Sequence, residues 1–173
     1  MANNTMSNAA REPKYFETYF GITNSPYRVW SQKALASAPF GSTTILLSAS
    51  PRKGQPTVSL SIPREGVPGL KDLNRATNLD YKLFKSFFND NRTKIEELVS
   101  DLTYGSEGST NEGDVWSKIK TDAHFHYFSV SWIGAAPTSK KCNRLLNAFL
   151  KSMRNIEPVL ANQLEESYVE FKG

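Results

Sequence analysis

The chain has 173 residues, 39% of them hydrophobic and 22% charged, and its 21 basic and 17 acidic side chains leave a net charge of +4. That length is enough for one domain with a real core, and a single cysteine excludes an internal disulfide framework. No apolar run approaches the ~18–20 residues of a membrane span, and the start "MANNTMSNAAREP" carries neither a signal-peptide core nor a transit peptide's arginines. The expectation is an intracellular protein, cytoplasmic, nuclear or virion-associated.

Residues 1–13 are polar and aperiodic and read as a flexible arm ahead of a single α+β domain over 14–173. After "KYFETYF" and a proline turn comes "SPYRVWSQKALAS". Here Tyr27, Val29 and Ser31 would share one strand face and Arg28, Trp30 and Gln32 the other. The clearest element is "STTILLSASPRKGQPTVSLSIPRE". Two β-branched, apolar and serine-rich runs flank "PRKGQP", whose Pro51, Gly54 and Pro56 punctuate a turn. Val58, Leu60 and Ile62 alternate with Ser59 and Ser61, which predicts a half-buried strand and an antiparallel hairpin with Arg52 and Lys53 at its tip.

Residues 65–79 read as a loop, and a helix is expected from Asp80, as N-cap, to Leu102. Its stripe is Phe84, Phe87, Phe88, Ile95, Leu98, Val99 and Leu102, with Gly105 placed as a C-cap glycine. "GSEGSTNEGD" (105–114) separates the halves 14–104 and 115–173. "VWSKIK" and "HFHYFSVSWIG" then read as strands. Thr138 or Ser139 caps a second helix along Cys142, Leu145, Leu146, Phe149, Leu150, Met153 and Ile156, which makes Cys142 a core residue. Pro158 starts a last helix at a bend. The fold class that follows is α+β, antiparallel sheet packed on two long amphipathic helices.

The halves echo each other as strands, loop and long helix. "KLFKSFFNDNRTKIEELVSDL" (82–102) lies without gaps on "RLLNAFLKSMRNIEPVLANQL" (144–164), with Arg92 on Arg154 as the one match beyond helical period. "TVSLSIPREG" leading to "YKLFKSFFNDNRTKIEELV", and "HFHYFSVSWIGAAPTSKKCNRLLNAFLKSM", together resemble the strand-then-helix units of the Whirly and PUR-repeat proteins. The resemblance implies two β-then-α repeats and a single-stranded DNA or RNA partner held on curved antiparallel sheet.

His124 and His126, the only histidines, share one face of the predicted strand with Phe128, Val130 and Trp132, while Phe125, Tyr127, Ser129, Ser131 and Ile133 take the other. Zinc would need a third and a fourth ligand; Asp122 shares the histidine face, but one cysteine and two histidines are too few, so no metal or cofactor is expected. If a helix covers Phe128 to Trp132, the histidines fall at its rim. Large aromatics usually serve a core, and the alternative is a base-stacking platform; the expected strand has one packed and one partly exposed aromatic face. The candidate nucleic-acid contacts are Tyr27, Arg28, Trp30, Lys33, Arg52, Lys53, His124, His126 and Tyr127, a mixture of rings and cations. Residues 138–154 carry five further basic side chains and no acid.

No phosphate loop, dinucleotide fingerprint or nucleophile elbow is present, and Glu96–Glu97 and Glu165–Glu166 sit on helices as solvated faces. The expected function is therefore non-enzymatic binding of single-stranded nucleic acid by a homo-oligomer, with no catalytic residues and no small-molecule substrate. The alternative is a viral matrix or coat-like protein that works by self-assembly, with the N-terminal arm reaching a neighbouring subunit.

Overall fold

The computed structural model describes residues 28–29, 32–64, 75–105 and 114–172. The expected arm, "KYFETYF" and most of the 65–79 and 105–114 loops lie outside the described residues. Where one strand was predicted across Tyr27–Gln32, two short ones occur, β1 (Arg28–Val29) and β2 (Gln32–Lys33), paired antiparallel with each other. Next comes β3 (Ala36–Phe40), which the sequence did not announce because alanine and proline are poor strand formers. Pro39 is tolerated because β3 is an edge.

The hairpin forms as predicted, from β4 (Thr43–Ser50) and β5 (Thr57–Pro63), with Ser50 opposite Thr57. The chain then crosses through α1 (Asn78–Gly105) to β6 (Asp114–Thr121) and returns as β7 (Phe125–Ile133) beside β5. The result is one five-stranded antiparallel sheet in the order β3-β4-β5-β7-β6, followed by α2 (Ser139–Ile156) and α3 (Pro158–Ser167). The chain thus passes twice from strands to helices. The first pass gives the sheet three strands and the second gives two.

One sheet face holds Ile45, Leu47, Ala49, Val58, Leu60, Ile62, Phe128, Val130 and Trp132, and all three helices pack into a single core with it. Cys142, Leu145, Leu146 and Phe149 of α2 are buried there, as their spacing predicted. Over most of β4, β5 and β7 the opposite face is buried as well. Register sets Ser48, Ser59 and Ser129 side by side across three strands, and Thr57 Oγ1 lies 3.0 Å from Ser131 Oγ. The half-buried β5 expected from alternation is therefore a strand buried on both sides. Its serines alternate because small hydroxyl side chains suit a second covered face, which period two cannot distinguish from a wet one.

Helix ends follow local chemistry. Thr138, extended at ψ 160°, accepts the Lys141 N–H on its side chain, and Pro158 occupies the first turn of α3. At α1 the N-cap is Thr77, not Asp80. Its hydroxyl accepts the Asp80 N–H (3.0 Å) while the Asp80 carboxylate accepts the Thr77 N–H (2.9 Å), a reciprocal capping box.

Both edges of the sheet are closed by helix side chains. On β6, Glu96 accepts the Ser117 N–H (3.0 Å) and Arg92 donates to the Ser117 carbonyl; on β3, Ser167 accepts the Ser37 N–H (2.9 Å) and its hydroxyl donates to the Ser37 carbonyl (3.3 Å). Filling the outward backbone groups this way blocks strand addition at those points. It also separates Arg92 from Arg154, which pairs with Glu165 at the surface. No described helix is long and apolar enough to cross a membrane.

Cys142 is fully buried, and that burial pushes its thiol up to about 11. Cys142→Ala is expected to cost about 1 kcal/mol. A thiol reagent should label the unaltered protein only after denaturant unfolds it. Rapid labelling under native conditions would contradict the buried placement.

Candidate nucleic-acid interface

The "PRKGQP" tip folds into a single tight turn over Arg52–Gly54, closed by the Gly54 N–H on the Pro51 carbonyl (3.3 Å) and the Gln55 N–H on the Arg52 carbonyl (3.0 Å). Lys53 adopts a left-handed backbone (φ 53°), and Gly54 follows at φ 75°. A left-handed lysine costs about 1 kcal/mol or more, so the tip keeps a strained cation where glycine would be easier. Lys53 is exposed and Arg52 half-buried.

Across the sheet, β6 alternates. Val115, Ser117 and Ile119 face the helices, while Trp116, Lys118 and Lys120 project from the opposite side at intervals of ~7 Å. Trp116 is 46% exposed, and the Lys118 ammonium lies 5.8 Å from its ring centroid. Register places Trp116 in the same cross-strand row as Ser131, Thr57 and Ser50, so the hairpin tip, just beyond Ser50, extends from the Trp116 end of the sheet. Burial, then the charges of Lys120, Lys53 and Arg52, lower the proton affinity of Lys118 below that of an ordinary lysine. Two segments distant in sequence thus share one positive neighbourhood around an exposed indole. Asp114, at the start of β6, is the one acid among its eight residues.

Comparison of the chain with family models, with curated proteins and with solved structures finds no match to any of them. The site therefore stands on its own geometry.

The residues singled out from sequence separate. Arg52 and Lys53 belong to this surface. Tyr27 and Trp30 lie outside the described residues; Arg28 and Lys33 are backbone partners in the β1–β2 ladder. Tyr127, expected to offer a stacking face, is only 6% exposed, because the second sheet face is covered. The histidines fall at the other end of the strands. Asp122 accepts the backbone N–H groups of His124 and Phe125 on one carboxylate oxygen (both 2.8 Å), so it builds the β6–β7 turn. His126 lies at the helix rim, as its alternation with Phe128 implied, stacked on Tyr81 of α1 at 3.9 Å and 14°, with Nδ1 2.8 Å from Thr121 Oγ1. Burial, and then Arg64, lower its pKa, with Asp122 opposing.

Trp116, Lys118 and Lys120 were missed. Their signal was present in "VWSKIK", where aromatic and basic residues take one parity and Val115, Ser117 and Ile119 the other.

The basic stretch 138–154 is already partly engaged. Arg144 donates to the Thr103 carbonyl, Arg154 pairs with Glu165, and Lys141 and Arg144 lie over the face of buried Trp132 at 5.4 and 5.7 Å.

Proposed function

We propose that this protein binds single-stranded nucleic acid, RNA or DNA, without catalysis, on the surface formed by the Arg52–Lys53 tip and by Trp116, Lys118 and Lys120. The supporting observation is the crowding of four cations from two segments beside a half-exposed tryptophan. Like charges held this close oppose folding, and a polyanion relieves that repulsion. An exposed indole adds a face on which any base can stack. The closed edges at Ser37 and Ser117 make strand-to-strand self-assembly the weaker reading.

Anisotropy titration of a fluorescent oligonucleotide over a range of salt tests this. Trp116→Ala should weaken binding by about 5- to 150-fold, the worth of one base–aromatic stack. Lys118→Ala with Lys120→Ala, or Arg52→Ala with Lys53→Ala, should lower the salt slope by about one unit per lost phosphate contact. Lys140→Ala with Lys141→Ala, on α2, should do much less. No binding at micromolar protein in low salt would sink the reading. Equal effects from every lysine pair would mean diffuse attraction and no defined surface.

A further inference from the structure

Lys118 sits midway along β6, half-buried, with its ammonium 5.8 Å from the centroid of the half-exposed Trp116 ring. Among the described residues no carboxylate pairs with it. Asp114, on the same side of the strand, is four residues away, about 13 Å along an extended chain. The cross-strand row of Lys118 runs through Ser129 and Ser59 to Ser48, two residues short of the end of β4. Three strand spacings, about 14 Å, thus separate Lys118 from the strand that leads into the Arg52–Lys53 tip. Burial, and then the charges of Lys120, Lys53 and Arg52, make its ammonium easier to deprotonate than an ordinary lysine's. A lysine among other cations has two chemical consequences. More of its nitrogen is the neutral amine, which is the nucleophile, and an anionic reactant is drawn to the same spot.

We propose that Lys118 is a preferred site of Nε-acylation by small acyl phosphates, and that its acylation weakens the hold on a nucleic-acid strand. The second half rests on the strand-binding reading above; the first does not. An acyl phosphate carries the charge that the cluster attracts on the group that must leave. The neutral Lys118 amine attacks the acyl carbon and forms the amide C–N bond. The bond from that carbon to the phosphate oxygen breaks, its electron pair leaves with the phosphate, and inorganic phosphate takes up the proton that the nitrogen sheds. The product has lost one positive charge beside Trp116, and with it one phosphate contact.

The full chain is incubated with acetyl phosphate at low salt, and acetylation is followed lysine by lysine by mass spectrometry. Lys118 should react about tenfold faster than the exposed Lys82 of α1 and Lys140 of α2, the low end of what a focused field does for an anionic reactant. The excess should shrink in about 1 M salt, where charges are screened beyond ~3 Å. It should also shrink in Lys53→Gly with Lys120→Gln; glycine suits the left-handed backbone at position 53, so that variant keeps its turn. Equal rates at Lys118 and Lys140, or an excess unchanged in the variant, overturn the site. The partly acetylated protein is then passed over an immobilised single-stranded oligonucleotide. Acetyl-Lys118 should be depleted from the retained fraction and acetyl-Lys140 should not. Equal retention of both overturns the effect on binding and leaves the reactive amine standing. Failure of the unmodified protein to be retained overturns strand binding itself, whatever the rate at Lys118.

Discussion

Phe88→Ala should remove about 3–5 kcal/mol of unfolding free energy, the usual loss for truncating a buried phenylalanine. Phe88 is fully buried where α1 meets the sheet. Its ring stacks on Phe128 of β7 at 4.4 Å and 14°, and approaches Phe84 at 4.8 Å and Phe87 edge-on at 4.9 Å. Truncation deletes three ring contacts and leaves a void that the neighbours cannot fill. Phe128 is fixed in an inner strand, and Phe84 is fully buried on the same helix. A domain of ordinary stability holds only ~5–15 kcal/mol, so the variant should sit close to unfolding. In urea its midpoint should fall with the slope unchanged. Leu83→Ala, at a position 49% exposed five residues earlier on α1, is the control and should shift stability by no more than ~0.5 kcal/mol. Equal midpoints for the two variants would refute the packing described for α1.

Asp80→Ala should cost about 3 kcal/mol, and its cost should depend on pH. Asp80 is 3% exposed and clasps the β3–β4 turn to the start of α1. Its carboxylate accepts the Ser42 N–H (3.0 Å), the Ser42 hydroxyl (2.6 Å) and the Thr77 N–H (2.9 Å). Alanine would leave these donors without their acceptor, and hydrogen bonds to a charged partner are worth ~1.5–3 kcal/mol each at most. Gly41 completes the clasp, since at φ 56° it turns the chain where a side chain would overlap the Asp80 carboxylate.

Burial raises the pKa of Asp80, but the hydrogen bonds from Ser42 and Thr77 together outweigh it and hold the group below its ordinary value of 3.8. The folded state then binds fewer protons than the unfolded state as pH drops past that value. The stabilisation is therefore complete above the unfolded pKa and is lost as pH falls through the lower, folded one. Unfolding curves for the unaltered protein and Asp80→Asn should accordingly differ most at neutral pH and draw together below about pH 4. A gap that stays constant from pH 7 to pH 2 would rule out this role for the carboxylate.

Short-range signals were legible in the sequence. The hairpin of β4 and β5, the strands β6 and β7, the stripes of α1 and α2, the Thr138 cap and the Pro158 bend all follow from periodicity, turn residues and caps. These depend on neighbours within about one helical turn or one strand pair. β3 was invisible because "ASAPF" has no strand-forming pattern and is held by its partner β4 and by Ser167. The N-cap of α1 was misplaced for a related reason. Asp80 looked like a cap on its own, and only the reciprocal bonds with Thr77 put it inside the helix.

The candidate site divides along the same line. The sequence by itself determined that Arg52 and Lys53 crown a hairpin, that Cys142 is buried and that His126 shares a face with Phe128. It could not determine that β7 would insert between β5 and β6, because strand order is set by which apolar faces bury together across the whole chain. Even as the outer strand beyond β7, β6 keeps Lys118 within electrostatic reach of the tip, and the covered second face buries Tyr127. The insertion of β7 also set His126 against Tyr81 and beside Arg64, at the far end of the strands. Alternation along a strand tells which residues share a side; only the tertiary structure decides what that side faces, because burial is a property of the assembled layers and not of the strand.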